Sequence, residues 1–384
     1  MKLKSRITIG EHFKEIEDPR IDRTKLHNLM DIITIAICAV ICGSETWEDI
    51  EEYGKCKHKW LKRFLKLPHG IPSHDTFSRV FARINPEEFQ TCFINWVQSI
   101  SKIIPGDIVA IDGKTLRHSY DKQNDKAAIH MISAWSTGQQ LVLGQRKIDN
   151  KSNEITAIPQ LIKLLSLSGC IVSIDAMGCQ KSIVKEIIKQ EADYIITLKK
   201  NQPKLYSRVE DLFEKATIAK FQGFEYSEYK LIEEHHGRQE TRYYTVINNI
   251  KDVIDPENEW DGLYSIGKVD YMRVIKGKSK LESRYFIISL NHNATRLSES
   301  IRSHWQIENN LHWVLDVQFN EDKSRMRKDN STENFARLRH ITLNLLNQEN
   351  SQRLSIRNKR NKAGWDDNYL MLILNLSNSD DIVA

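Results

Sequence analysis

Two short apolar runs, each ending in aspartate, constrain this chain most. They are Asp107-Ile-Val-Ala-Ile-Asp112-Gly113-Lys114 and Cys170-Ile-Val-Ser-Ile-Asp175-Ala-Met-Gly178. Runs of this length, bounded by glycine, read as buried strands of a mostly parallel sheet. A carboxylate at the end of a buried strand is costly to desolvate unless something compensates it. A divalent cation compensates several carboxylates at once. A third carboxylate, Glu308, lies in Arg302-Ser-His-Trp-Gln-Ile-Glu308-Asn-Asn-Leu-His-Trp-Val-Leu-Asp316. At about 100° per residue, Ile307, Leu311, Val314 and Leu315 share one helical stripe. Glu308 stands at its edge, with His304 one turn before and His312 one turn after.

Each acidic residue also has a plainer reading. Asp112 fits an Asp-Gly turn, Asp175 a strand end, and Glu308 a solvated helix face. Their shared setting favours chemistry: two buried strands and one amphipathic helix, all ending or bordering on a carboxylate. These are the materials of a two-metal phosphoryl-transfer site. Mg²⁺ suits such oxygen donors, and Mn²⁺ is an alternative. Asp112, Asp175 and Glu308 are therefore the expected catalytic and metal-binding residues.

The rest of the chain supplies an α/β setting. Strands are expected at 108–111, 129–134, 140–144, 171–174 and 194–198, with helices at 156–165 and 180–190. Residues 9–100 read as all-helical, and Leu26, Leu29, Ile33, Ala36, Ile37 and Val40 recur at helical spacing up to Gly43. The segment 67–83, with Pro and Gly before a helix bearing Arg79 and Arg83, fits either a DNA-reading helix-turn-helix or a generic helical hairpin. Residues 201–290 change to β-branched and aromatic runs at 241–247, 263–266, 269–274 and 285–290, and read as a strand-rich insertion. Helical spacing returns at 294–317 and 332–346, and a basic tail begins with Arg353, Arg357, Lys359, Arg360 and Lys362. The expected divisions are 1–104, 105–200, 201–290, 291–347 and 348–384.

A chain of 384 residues with 40% hydrophobic and 28% charged residues has the composition of a globular protein of two or three domains. Its net charge of +5 permits a nucleic-acid partner without demanding one. Six cysteines without paired CxxC spacing read as small buried residues of a reducing compartment. A zinc site around Cys38, Cys42, Cys56 and His58 would need tighter pairs. The N-terminal segment is too polar for a signal peptide, and the apolar stretch 32–42 is too short to span a bilayer. Lys114, Arg117 and His118 after Asp112, and Lys199, Lys200 and Lys204 after the fifth strand, fit either phosphate contacts or charged loops.

The chain resembles insertion-sequence DDE transposases of the ISAs1 type within the IS4-like group, to which H-repeat-associated proteins are related. The resemblance rests on Ala110-Ile-Asp112-Gly-Lys-Thr-Leu116, Lys151-Ser-Asn-Glu-Ile-Thr-Ala-Ile-Pro159 and Ser173-Ile-Asp175-Ala-Met-Gly178. It continues in Ala192-Asp-Tyr-Ile-Ile-Thr-Leu-Lys-Lys-Asn201, His236-Gly-Arg-Gln-Glu-Thr-Arg242 and Arg302-Ser-His-Trp-Gln-Ile-Glu-Asn309. It implies a ribonuclease-H-like core interrupted by a β-rich insertion and preceded by an all-helical N-terminal domain. It places the acidic triad on Asp112, Asp175 and Glu308. Of the group's Tyr-Arg-Glu-Lys signature only the Glu is in place; Ile301, His304 and Leu315 stand at the other positions, and Arg302 is a cation one turn away.

With that reading come Mg²⁺ or Mn²⁺ as a pair of ions, and double-stranded DNA with terminal inverted repeats plus target DNA as partners. A homodimer or higher assembly on DNA, no membrane, and a cytoplasmic, nucleoid-associated bacterial location are also expected. Lys114, Arg117, Lys199, Lys200, Arg238, Arg302 and His304 are the candidate DNA contacts. Two alternatives stay open: a catalytically silent DNA-binding relative, and a structure-selective nuclease on the same fold.

Overall fold

In the computed structural model, residues 9–102, 104–120, 127–148, 153–235, 238–275 and 278–376 are described. A nine-stranded sheet forms the centre, in the order β3-β2-β1-β4-β5-β9-β8-β7-β6. The strands are β1 (Ile108–Thr115), β2 (His130–Ser136), β3 (Leu141–Lys147), β4 (Ile171–Ile174) and β5 (Asp193–Leu198). They continue with β6 (Tyr226–His235), β7 (Arg238–Ile247), β8 (Ser265–Ile275) and β9 (Lys278–Ile288).

The sheet is not mostly parallel. Only β1–β4 and β4–β5 pair in parallel among the described strands; the other pairings are antiparallel. Connection length is the reason. A parallel pair needs a crossover of about a dozen residues or more, usually a helix. The helices Glu154–Leu164 and Lys181–Lys189 supply two such crossovers, whereas β2 and β3 are joined by a tight turn at 137–140. The two apolar runs, β1 and β4, do pair in parallel with both faces covered; it is the strands flanking them that turn antiparallel.

That covering fixes which way the aspartates point. Side chains alternate along a strand, so Ile108, Ala110 and Asp112 share one face, as do Ile171, Ser173 and Asp175. Ile108 and Ile171 pack with Ile195, Phe286 and Ile288 under Ala294, Leu297 and Ile301 of the Ala294–His304 helix. Val109 and Ile111, on the other face, join the main core with Ile158, Leu161, Phe335 and Leu338. Each fully buried aliphatic side chain stabilises by roughly 1.5–3 kcal/mol. A one-residue slip would turn all of them over, so burial holds the register.

The strands β6–β9 extend the same sheet: β9 pairs directly with β5, from Ile195 opposite Ile288 to Leu198 opposite Tyr285. The region after β5 is not wholly strand. Pro203–Ile218 forms a helix, with Pro203 in its first turn and Leu205, Val209, Leu212, Phe213 and Ala216 buried. The helices of residues 9–100 pack on the same core as the Ser331–Gln348 helix. Trp47 stacks on Phe81 and meets Phe335 edge-on, with ring centroids 5.1 Å apart in both pairs. Leu26 lies outside the Leu29–Ile41 helix and is exposed.

The Ser331–Gln348 helix is buried along almost its whole length, polar residues included. Some of its polar groups are partnered, while Ser331 Oγ, His340 Nδ1 and Thr342 Oγ1 are buried with no hydrogen-bond partner among the described residues. Arg337 pairs with Glu333 and donates to Gln90, and Asn344 both accepts from and donates to the backbone of Val142 on edge strand β3. The basic stretch after Asn347 is also folded. Helices Ile356–Trp365 and Asp367–Ile373 pack back on the core; Lys359 and Arg360 are buried and donate to backbone carbonyls of Leu346, Glu349 and Val40. No helix among the described residues is long and apolar enough to cross a membrane.

Candidate active site

The register of β1 and β4 builds the site's floor. Ile111 pairs with Ile174, so Asp112 stands beside Asp175, the residue that follows β4, where strands lie about 4.8 Å apart. Asp112 does not end its strand: β1 continues to Thr115, because Asp112–Thr115 pair with His130–Ser133 of β2. Asp175 accepts from the Met177 and Gly178 amides at 3.0 and 3.4 Å, capping a short 3₁₀ turn. A Cβ at Gly178 would stand 2.3 Å from Ile174 Cγ2, so any larger residue here would push Ile174 aside. Asp112 accepts from the Gly113 amide at 2.9 Å. A Cβ at Gly113 would lie 2.4 Å from Glu154 Oε1 and 2.5 Å from His130 Nε2. Those two side chains are bonded at 2.6 Å, and Asn153 with Thr156 forms the capping box that starts the Glu154 helix.

Glu308 does not lie on one continuous α-helix. The Ala294–His304 helix ends, Ile307–His312 winds as a π-helix, and α-helix resumes over Trp313–Gln318. Single π turns inside helices shift the phase of the next turns and often mark functional positions. Here Ile307 and Leu311 stay buried while Glu308 and His312 turn toward Asp112. His312 Nδ1 lies 3.2 Å from Glu308 Oε2 and 3.6 Å from Asp112 Oδ2. Asp112, Glu308 and His312 thus offer three ligand atoms, all within 4.8 Å of one another. His312 is buried, Asp112 half-buried, and Glu308 60% exposed.

The electrostatics suit a cation. Burial raises the Asp112 carboxyl above its ordinary pKa; the nearby His312 opposes this and Asp175 adds to it. Burial likewise pushes His304 down. The Nε2 of His312 and the Nδ1 of His304 are buried with no hydrogen-bond partner among the described residues. Asp175 stands outside the tight three-residue group, but lines the same cavity of about 820 Å³ as Asp112, Glu308, His304, Lys199 and Lys200.

The candidate DNA contacts separate. Lys199 and Lys200 are exposed at the end of β5 and line that cavity. His304 also lines it, and Arg302 lines an adjacent one, held 2.7 Å from Glu233. Arg117 is exposed and lies 3.3 Å from Asp322. Lys114 does not face the cavity. Its ammonium sits between Asp316 and the buried Glu321, which outweigh its burial and raise its pKa. Arg238 begins β7, but its side chain, like His236 and Gly237, lies outside the described residues.

His312 is a ligand candidate the sequence pattern underrated, although its position four residues after Glu308 was a usable signal. A basic segment at Lys323, Arg325 and Lys328 is exposed beside Arg117 and has no ion-pair partner among the described residues. No group able to hold a metal among those residues includes a cysteine, and the six cysteines are free.

Similarity to known proteins gives the family. The description "Transposase DDE domain" matches residues 104–345, and "DDE_Tnp_1-associated" matches residues 10–97. The chain belongs to the DDE transposase family. The Escherichia coli K12 protein named "H repeat-associated putative transposase YhhI" is 43% identical over 97% of this chain and 98% of its own length. The protein named "H repeat-associated putative transposase YbfD", from the same organism, is 45% identical over 66% of this chain and 98% of its own. Among solved structures, the piggyBac transposase synaptic complex with hairpin DNA aligns over 96% of this chain and 77% of that one, at 12% identity and a TM-score of 0.40.

Proposed function

We propose that this protein is an active DNA transposase that breaks and joins phosphodiester bonds at the ends of a mobile element. One observation carries the reading: Asp112 on β1, and Glu308 and His312 on the π turn, bring ligand atoms within 4.8 Å at the lip of a cavity that Asp175 also lines. The order β3-β2-β1-β4-β5, antiparallel then parallel, supports a ribonuclease-H-like core beneath it.

The donor set fits a divalent cation. Two neighbouring carboxylates, one of them partly buried, with an imidazole nitrogen between them, form an oxygen- and nitrogen-donor set that a cation would neutralise. Asp112, Glu308 and His312 would hold one ion, and Asp175 with Asp112 a second; Mg²⁺ or Mn²⁺ is expected, with the imidazole leaning toward Mn²⁺. Such ions supply an activated water or 3′ hydroxyl and neutralise charge on the leaving oxygen.

The chain's own residues supply the rest. Asp112 and Asp175 hold their carboxylates on a rigid floor that cannot retreat. Lys199 and Lys200 stand where a scissile phosphate's backbone would enter the cavity. Arg117, Lys323, Arg325 and Lys328 form a basic margin on the Asp322 side, suited to duplex DNA beyond the cut.

The test is nicking of a supercoiled plasmid carrying the gene with its native flanks, in Mg²⁺ or Mn²⁺. Wild-type protein nicks it and Asp175→Asn does not. Undiminished nicking by Asp175→Asn contradicts the assignment.

A further inference from the structure

The π turn bearing Glu308 is gripped from both sides. One side meets Asp112. The other meets Gln140, at the end of the tight turn between β2 and β3. Gln140 has φ +56, the left-handed region that a glutamine rarely adopts. A residue kept there against its preference signals that its side chain is needed where it points.

Its amide is fully used. Gln140 Nε2 donates to the Thr137 carbonyl at 2.7 Å and to Gln306 Oε1 at 3.2 Å. Gln140 Oε1 accepts from Asn310 Nδ2 at 3.0 Å. The backbone carbonyl of Gln140 accepts from Asn347 Nδ2 at 2.8 Å, which fixes the turn to the Ser331–Gln348 helix. Gln306 precedes the π turn and Asn310 lies inside it. Both sit two residues from a group in the metal-ligand cluster, so they point away from Asp112 while Glu308 and His312 point toward it.

We propose that Gln140 is a positioning residue that sets the rotation of the π turn and so aims Glu308 and His312 at Asp112. The inference rests on the metal-site reading above. A π turn replaces the i→i−4 ladder with i→i−5 bonds and so sets a different phase for the side chains it carries. An amide holding Gln306 and Asn310 at once opposes both directions of roll. Residues that orient ligands in this way change metal affinity without touching the metal.

Calorimetric titration of the full chain with Mn²⁺, without DNA, tests this. Gln140→Gly removes the amide and suits the left-handed backbone, so the fold should keep its melting temperature within about 2 °C. The expected result is Mn²⁺ binding weakened about 10-fold. No further weakening should follow when Gln140→Gly is added to Gln306→Ala/Asn310→Ala, because the three act as one unit. Wild-type affinity in Gln140→Gly overturns the proposal, as does a loss that merely follows a lowered melting temperature. Glu308→Gln separates the two levels of the argument. If it leaves Mn²⁺ binding unchanged, the metal site itself is wrong; if it abolishes binding while Gln140→Gly does not weaken it, only the positioning role is wrong.

Discussion

The two aspartates and the glutamate reach one cavity by different means. Asp112 lies within β1 and Asp175 directly follows β4; the residues just before them, Ile111 and Ile174, are buried, and their backbones pair with flanking strands. Glu308 rides a π turn, with a side chain 60% exposed, and is steered by polar contacts. The floor is placed by strand pairing and apolar packing; the π turn is anchored by buried Ile307 and Leu311, while its polar side is held by hydrogen bonds. Packing is stiff, because interiors are dense and a shift is felt at once. A solvent-facing turn can adjust.

The sharpest way to break this comparison is to exchange side-chain lengths. Asp112→Glu pushes an extra methylene out of a floor that cannot retreat. Nicking should fall by at least about 10²-fold, the scale of losing one transition-state group. Glu308→Asp withdraws a carboxylate from a turn with room to follow, and should retain more, losing about 10-fold. Single-turnover nicking rates of both variants check the order. Equal losses would mean that the two sides are equally stiff.

A second prediction separates a structural lysine from a DNA contact. Lys114→Met leaves Glu321 buried with Arg339 at 3.7 Å as its remaining ion-pair partner among the described residues. Breaking a buried pair from one side costs about 3 kcal/mol. The midpoint of urea unfolding should fall without a change in slope. If Lys114 served DNA instead, stability would hold and the salt dependence of DNA binding would weaken.

The last prediction, silent at neutral pH, concerns His292, at the foot of the Ala294–His304 helix. Burial lowers its pKa from 6.5 to about 4, helped by Arg296. Its neutral form is therefore the folded one, and the unfolded chain binds a proton first on acidification. The associated stability is fully present above pH 6.5 and is lost as pH falls toward 4. The slope is up to about 1.4 kcal/mol per pH unit. In urea titrations between pH 7 and 4, His292→Gln should show a shallower decline than wild type; an unchanged slope would contradict the assignment.

Much of the half that bears the candidate site was legible in the sequence. The five strands between 108 and 198 were located by their apolar runs, but β1 and β3 run on past those runs to Thr115 and Lys147, where polar residues pair in the sheet and leave no hydrophobic signal. The direction of the strands was not legible, since such runs look the same whichever way the neighbour lies. The π turn was also hidden. A steady 100° count carries Ile307, Leu311, Val314 and Leu315 on one stripe, and nothing in that pattern marks an inserted phase shift. Gln140 could not be found at all, because its partners Gln306, Asn310 and Asn347 are distant in sequence and polar. The buried polar face of Ser331–Gln348 escaped for the same reason: periodicity detects apolar burial and is blind to paired charges.

Anomalous diffraction from crystals soaked in Mn²⁺ tests the central claim most directly. A peak in contact with both Asp112 and Glu308, and absent in Glu308→Gln crystals, is the expected result. A peak elsewhere, or one that persists in Glu308→Gln, would contradict the account.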